Sequence, residues 1–187
     1  MQYLILLLGS VFVNNIVLSQ LLGISPLMTA TRKVGPTIRF SMVVASVLVI
    51  STILNFLFRQ YVLIPFQIEY FQTVAFVVLI LIVSRLIHLT LMNFPSFVLQ
   101  FEENFFVHLV TNSTILGTSL LVIKAELDLL ACITFALGSA IGFVLVMIIF
   151  SAIQEHLRLE RIPKAMQGYP ILLIAAGLLA MAFLGLQ

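Results

Sequence analysis

Two short stretches of this chain carry side chains that could bind or ligate something, and both lie inside apolar runs. The first is Val13-Asn14-Asn15, continuing through Ser19 and Gln20 to Leu22-Gly23-Ile24-Ser25-Pro26. The second is Val110-Thr111-Asn112-Ser113-Thr114-Ile115-Leu116-Gly117. Amides and hydroxyls offer neutral hydrogen bonding and hard oxygen donors, with no nucleophile–base pair among them. Glu103 is the last charge before Asn112, nine residues earlier. At about 1.5 Å per residue, Asn112 stands roughly 13–14 Å deep, near the middle of a ~30 Å hydrocarbon core. Polar groups at that depth mark a functional site by default, so Asn14, Asn15, Thr111 and Asn112 are expected to line a midplane site. The plainer alternative is a set of helix amides bonding across to neighbours, worth about 0.6 kcal/mol each.

The elements that hold these stretches follow from composition. Hydrophobic residues make up 62% of the 187-residue chain and charged residues 9%. A soluble domain carries about 25% charged residues, so the class is an all-α polytopic membrane protein. The length suits six spans and leaves no room for a soluble domain. Net charge is +2, which by itself says nothing about nucleic acid, and no basic run exceeds Arg32-Lys33; no nucleic-acid partner is expected. A single cysteine, Cys132, excludes an internal disulfide and a multi-cysteine metal site built by this chain alone. The apolar start lacks a basic region and a small-residue cleavage site, and reads as the first span rather than a signal peptide. There is no phosphate loop and no zinc spacing.

Span one covers about Tyr3–Ile24, interrupted by its amides, with Pro26 expected to end the helix. Such a half-helix with an irregular return survives in a bilayer only where protein or a cavity covers it. Span two runs from Phe40 to about Leu57, and Arg59–Tyr70, broken by Pro65, connects it to span three, Phe71 to about Leu91. Arg85 and His88 near its end are expected to reach the interface. Span four starts near Phe97 or Phe101 and carries Glu102, Glu103, Asn104 and His108 before the central Thr-Asn-Ser. Span five is Leu129 to about Phe150, where Gly138, Ser139 and Gly142 allow close helix approach. A charged loop, Ser151–Gln167, helical at first, leads to span six from Tyr169.

With the N-terminus outside, the cytoplasmic side collects Arg32, Lys33, Arg39, Arg85, Arg158, Arg161 and Lys164, against Arg59 and Lys124 outside. This positive-inside bias puts both termini outside. Asn15 and Asn112 each fall in the first span of a three-span half, about 1–96 and 97–187. Three is odd, so the halves enter from opposite faces, a 3+3 inverted repeat with interrupted helices 1 and 4 meeting at the midplane.

Val13-Asn14-Asn15-Ile16-Val17-Leu18, Leu22-Gly23-Ile24-Ser25-Pro26-Leu27-Met28 and Thr111-Asn112-Ser113-Thr114-Ile115-Leu116-Gly117 resemble the RnfA/NqrE family of membrane subunits. Members of that family serve the Rnf electron transport complex and the sodium-pumping NADH:quinone reductase. Tyr61-Val62-Leu63-Ile64-Pro65, Gly138-Ser139-Ala140-Ile141-Gly142-Phe143 and the Glu155…Ile162-Pro163…Gly168 loop extend the resemblance over nearly the whole chain. It implies a non-catalytic translocase subunit in a bacterial or archaeal cytoplasmic membrane, paired with a homologous six-helix subunit of opposite orientation. It also implies a [2Fe–2S] cluster shared by that pair at mid-membrane, serving transmembrane electron transfer beside flavin- and ferredoxin- or NAD-linked subunits.

The resemblance implies one ligand cysteine in each motif, and here those positions are Ser25 and Ser113. Serine is a hard, very weakly acidic ligand, so the expectation for this chain is no all-thiolate cluster. Cys132 aligns with neither position and reads as a small apolar filler. His108, five residues before Ser113, could approach the same site, although a carbonyl-bonded histidine is the favoured reading. Two functions stay open: an electron-transfer subunit of an ion-translocating oxidoreductase, or a cluster-free channel, carrier half or scaffold of the same architecture.

Overall fold

The computed structural model describes residues 2–13, 15–29, 34–93, 105–160 and 163–185. Regular structure there is entirely helical. α1 (Gln2–Leu8) opens into a π-helical turn, Gly9–Val13. Two short helices follow, α2 (Ile16–Ser19) and α3 (Ile24–Thr29). α4 (Val34–Phe58) also ends in a π turn, Arg59–Leu63, and α5 is Gln72–Met92. α6 (Phe105–Val110) and α7 (Ser113–Lys124) are two pieces flanking a break. α8 (Leu129–Leu157) and α9 (Tyr169–Leu184) close the chain. Val34–Leu63, Glu69–Met92 and Leu129–Leu157 are long and apolar enough to cross a membrane unaided. Tyr3–Phe12, Ser113–Lys124 and Tyr169–Leu184 are shorter apolar helices.

α8 is the axis of the bundle because its small residues let other segments come close. A Cβ on Gly138 would stand 3.0 Å from the Leu7 carbonyl oxygen, and one on Gly142 3.1 Å from that of Val11 and 2.7 Å from Asn15 Nδ2. Further along, Gln154 Nε2 donates to the Leu27 carbonyl at 3.0 Å. Three contacts in rising order on both sides mean that the broken first span runs parallel to α8. α4 runs the other way: Thr37 Oγ1, near its start, lies 3.1 Å from Ser151 Oγ near the end of α8. Phe143, Met147 and Phe150 of α8 fill the core against Val44, Val47 and Leu48 of α4, all fully buried.

Val74, Val78, Leu81, Ile82, Leu86 and Leu89 on α5 are exposed. So large an apolar face is foreign to a water-soluble surface and suits contact with lipid tails. Arg85 is also exposed, and His88 is half-buried.

Several boundaries differ from the sequence reading. Pro26 does not end a helix; it is the third residue of α3, where the backbone N–H that proline lacks has no intrahelical partner to lose. Pro36 occupies the same place in α4, so that helix starts at Val34 rather than Phe40 and runs through Arg39. α8 continues past Phe150 to Leu157, because Ser151 and Gln154 have partners of their own on the bundle side. The expected start of span four at Phe97 or Phe101 lies outside the described residues.

Candidate functional site

Both interrupted segments are built the same way. Asn15 leaves the helical region at φ −63°, ψ 111°, and its Oδ1 accepts the Val17 N–H at 3.1 Å, capping α2. Asn112 does likewise at φ −74°, ψ 106°, accepting the Thr114 N–H at 3.0 Å and capping α7. An asparagine oxygen satisfies donors that the first turn of a helix leaves free, which is why a helix can restart inside an apolar medium at these residues. Asn15 Nδ2 also donates to the Val11 carbonyl at 2.9 Å, so one side chain ties off both sides of its break. Asn15 and Asn112 are 2% and 3% exposed. They act as structural hinges of the breaks, with their oxygens committed to backbone.

The two breaks meet. The Gly23 N–H donates to Ser113 Oγ at 3.0 Å across 90 residues of sequence. Gly23 has φ +81°, and a Cβ there would run into Thr114 Oγ1 while standing 3.5 Å from Asn112 Oδ1 and from the Phe143 ring. Gly117 receives the Leu22 side chain against its bare backbone. The Leu22-Gly23 turn is therefore seated on the first two turns of α7, with α8 behind it.

Ser25, Thr111 and Ser113 are exposed, as are Ser19 and Gln20. Thr111 Oγ1 donates to the Val107 carbonyl at 2.8 Å, and Ser113 Oγ holds Gly23. Asn14, Glu102, Glu103, Asn104 and the side chain of His108 lie outside the described residues. Among the described residues no group of three or more His, Cys, Asp or Glu could hold a metal ion. Cys132 is buried in the first turn of α8, eleven residues before Phe143, roughly 16 Å along a straight helix. It does not reach the junction. Donors at positions 25 and 113 are hydroxyls, not thiols.

Two contributors escaped the sequence reading. Thr114 sits in the quoted motif, but only the fold shows that it faces Gly23. Asn55 of α4 donates through Nδ2 to Ser119 Oγ of α7 at 2.9 Å, and its signal was a lone amide near the end of an apolar span.

Residues 3–187 match the family described as "Rnf-Nqr subunit, membrane protein". The chain belongs to the Rnf-Nqr family of membrane subunits. It is 35% identical over 184 residues to the A-type subunit of the ion-translocating oxidoreductase complex of Pseudoalteromonas translucida (strain TAC 125), covering 98% of this chain and 95% of that protein. The protein of the same name from Shewanella amazonensis (strain ATCC BAA-1098 / SB2B) is 35% identical over 184 residues, with 98% and 96% covered. That from Syntrophotalea carbinolica (strain DSM 2380 / NBRC 103641 / GraBd1) is 35% identical over 182 residues, with 97% and 94% covered. The junction of two Asn-capped breaks is thus part of an Rnf-Nqr membrane protein.

Loss of one cap has a definite expectation. Asn112→Ala leaves the Thr114 N–H without its acceptor in a buried site and should lower stability by about 1–2 kcal/mol. Asn112→Asp or Asn112→Ser, which retain a capping oxygen, should do less harm. Denaturation by graded SDS in mild detergent checks the ranking; an alanine variant as stable as either would deny the cap its role.

Proposed function

We propose that this chain serves as the A-type membrane subunit of an Rnf-type ion-translocating oxidoreductase complex, a non-catalytic participant in ferredoxin- or NAD-linked transmembrane electron transport. The observation that carries this reading is the meeting of the Asn15 and Asn112 breaks in a chain whose full length matches relatives so named. The two breaks are equivalent positions of two three-span half-repeats, about 1–96 and 97–187, entering the membrane from opposite faces. Ser19, Gln20, Ser25, Thr111 and Ser113 need a covering surface at depth. A homologous six-helix subunit of opposite orientation, presenting the same kind of face, is the partner that fits.

Within this reading the chain contributes no ligand to a [2Fe–2S] centre. Clusters of that kind are held by soft thiolates, whereas Ser25 and Ser113 offer hydroxyls whose ionisation in a low-dielectric site is strongly disfavoured. The role left to these residues is to build and cover the junction. The second reading, a cluster-free channel, carrier half or scaffold, is favoured by the same two serines and differs in its company. A tagged copy in mild detergent should co-purify with a second six-span protein and with flavin- and iron-carrying subunits. Recovery of a monodisperse, thermally robust lone monomer would argue against both pairing and complex.

Orientation follows from the basic residues: both termini outside the cytoplasmic membrane. In a Cys132→Ala background, Lys33→Cys and Arg161→Cys should be shielded from an impermeant thiol reagent in intact cells, and Lys124→Cys should react. The reverse pattern overturns the orientation.

A further inference from the structure

A second polar region lies away from the junction, in the half of the bundle that ends at Arg59 and Lys124. α4 is apolar over most of its length, yet Ser51, Thr52 and Asn55 share one face and are 0–1% exposed. α7 packs on that face and offers Ser119, to which Asn55 Nδ2 donates. Ser119 Oγ donates in turn to the Ile115 carbonyl at 3.1 Å. This relay fixes the Asn55 amide with its nitrogen engaged, and its Oδ1 has no donor. Ser51 Oγ and Thr52 Oγ1 have no partner either. Thr118 and Ser41 differ: Thr118 Oγ1 donates to the Thr114 carbonyl at 2.7 Å and Ser41 Oγ to that of Ile38 at 2.9 Å, the ordinary local solution for a helical hydroxyl.

We infer that Ser51, Thr52 and Asn55 line an internal water site between α4 and α7. A water with two to four polar partners is what such a set of buried oxygens accepts. Supply is close: Asn55 is one turn from Arg59, and Ser119 less than two turns from Lys124, whose side chain is exposed. Asn112 Nδ2, likewise without a partner, lies seven residues before Ser119 on the same side of α7, at the junction end. The lining has no carboxylate, so a resident cation would sit there uncompensated at high desolvation cost; the occupant is neutral. The site would bring water from that face of the protein toward the midplane break, independently of how the complex uses the chain.

The test uses the protein purified with its partners. Thr52→Val and Ser51→Ala each remove a hydroxyl with little change of shape. Where water is bound, each variant leaves it short of a partner and should lower Tm by about 2–4 °C. Where the seam is dry, the same changes remove unpaired polar atoms, and an unchanged or raised Tm overturns the proposal. A density map that resolves waters should show a peak within hydrogen-bond reach of at least two of the three oxygens, and an empty seam overturns it too. A peak present in sodium buffer and absent in choline buffer would identify a cation and defeat water as the occupant.

Discussion

Gly23→Ala should destabilise this chain by about 2–4 kcal/mol. Two independent costs combine. Gly23 holds φ +81°, a conformation that costs an L-residue roughly 1–2 kcal/mol. The new Cβ would also overlap Thr114 Oγ1, on a side chain that is fully buried and packed against α8, and overfilling of that kind costs about 1–3 kcal/mol. The two terms separate experimentally. Thr114→Ala deletes a hydroxyl with no hydrogen-bond partner, so by itself it should be cheap, and combined with Gly23→Ala it should recover roughly half of the loss. Gly177→Ala, in α9 with nothing within 4 Å of the added atom, should cost nothing. Graded SDS unfolding of the four variants reads the cycle. A Gly23→Ala protein as stable as the parent would mean that the Leu22-Gly23 turn is not seated on α7.

Converting both motif serines to cysteine should change what the complex binds. With Ser25 and Ser113 in place, iron and acid-labile sulfide per complex should be unaffected by Ser25→Ala or Ser113→Ala. Nor should either substitution remove a [2Fe–2S] signal from the electron paramagnetic resonance spectrum after dithionite reduction. With Ser25→Cys and Ser113→Cys together, iron and sulfide should rise by up to about two atoms of each per complex above the parental content, as two new thiolates become available at the junction. Purification has to be anaerobic and include the partner protein. A parental signal lost in Ser113→Ala would make serine a true ligand and refute the cluster-free reading. A double cysteine protein that binds no additional iron beside an intact partner would show that the likeness to the family stops short of the site. Ser113→Ala also removes the acceptor of the Gly23 N–H, so its stability is measured alongside.

How much was legible beforehand depends on the kind of signal. The breaks at Asn15 and Asn112 were readable because amides in an apolar run are costly wherever they are not engaged. Their use was not. A sequence of this kind cannot separate an asparagine that lines a cavity from one that caps a helix, since both place the same side chain at the same depth. Pro26 misled for a related reason: proline ends a helix from within, but is at ease in a first turn, and only the start of the helix tells the two apart. Asn55 went unremarked because a lone amide in a span signals its partner only when the opposing helix, with Ser119, is known.

Composition and pattern by themselves determined that this is an all-α membrane protein with polar interruptions in its first and fourth apolar segments. They also determined that hydroxyls stand where the Rnf-Nqr likeness implies thiols. These are properties of residue type and local order, and burial in a bilayer follows from them directly. The tertiary structure alone decided that the two interruptions touch, through Gly23 and Ser113, and that α8 is the helix against which the broken span lies. Contacts across 90 residues depend on helix register and on bare glycine backbones facing one another, and no local pattern encodes the register of a distant neighbour.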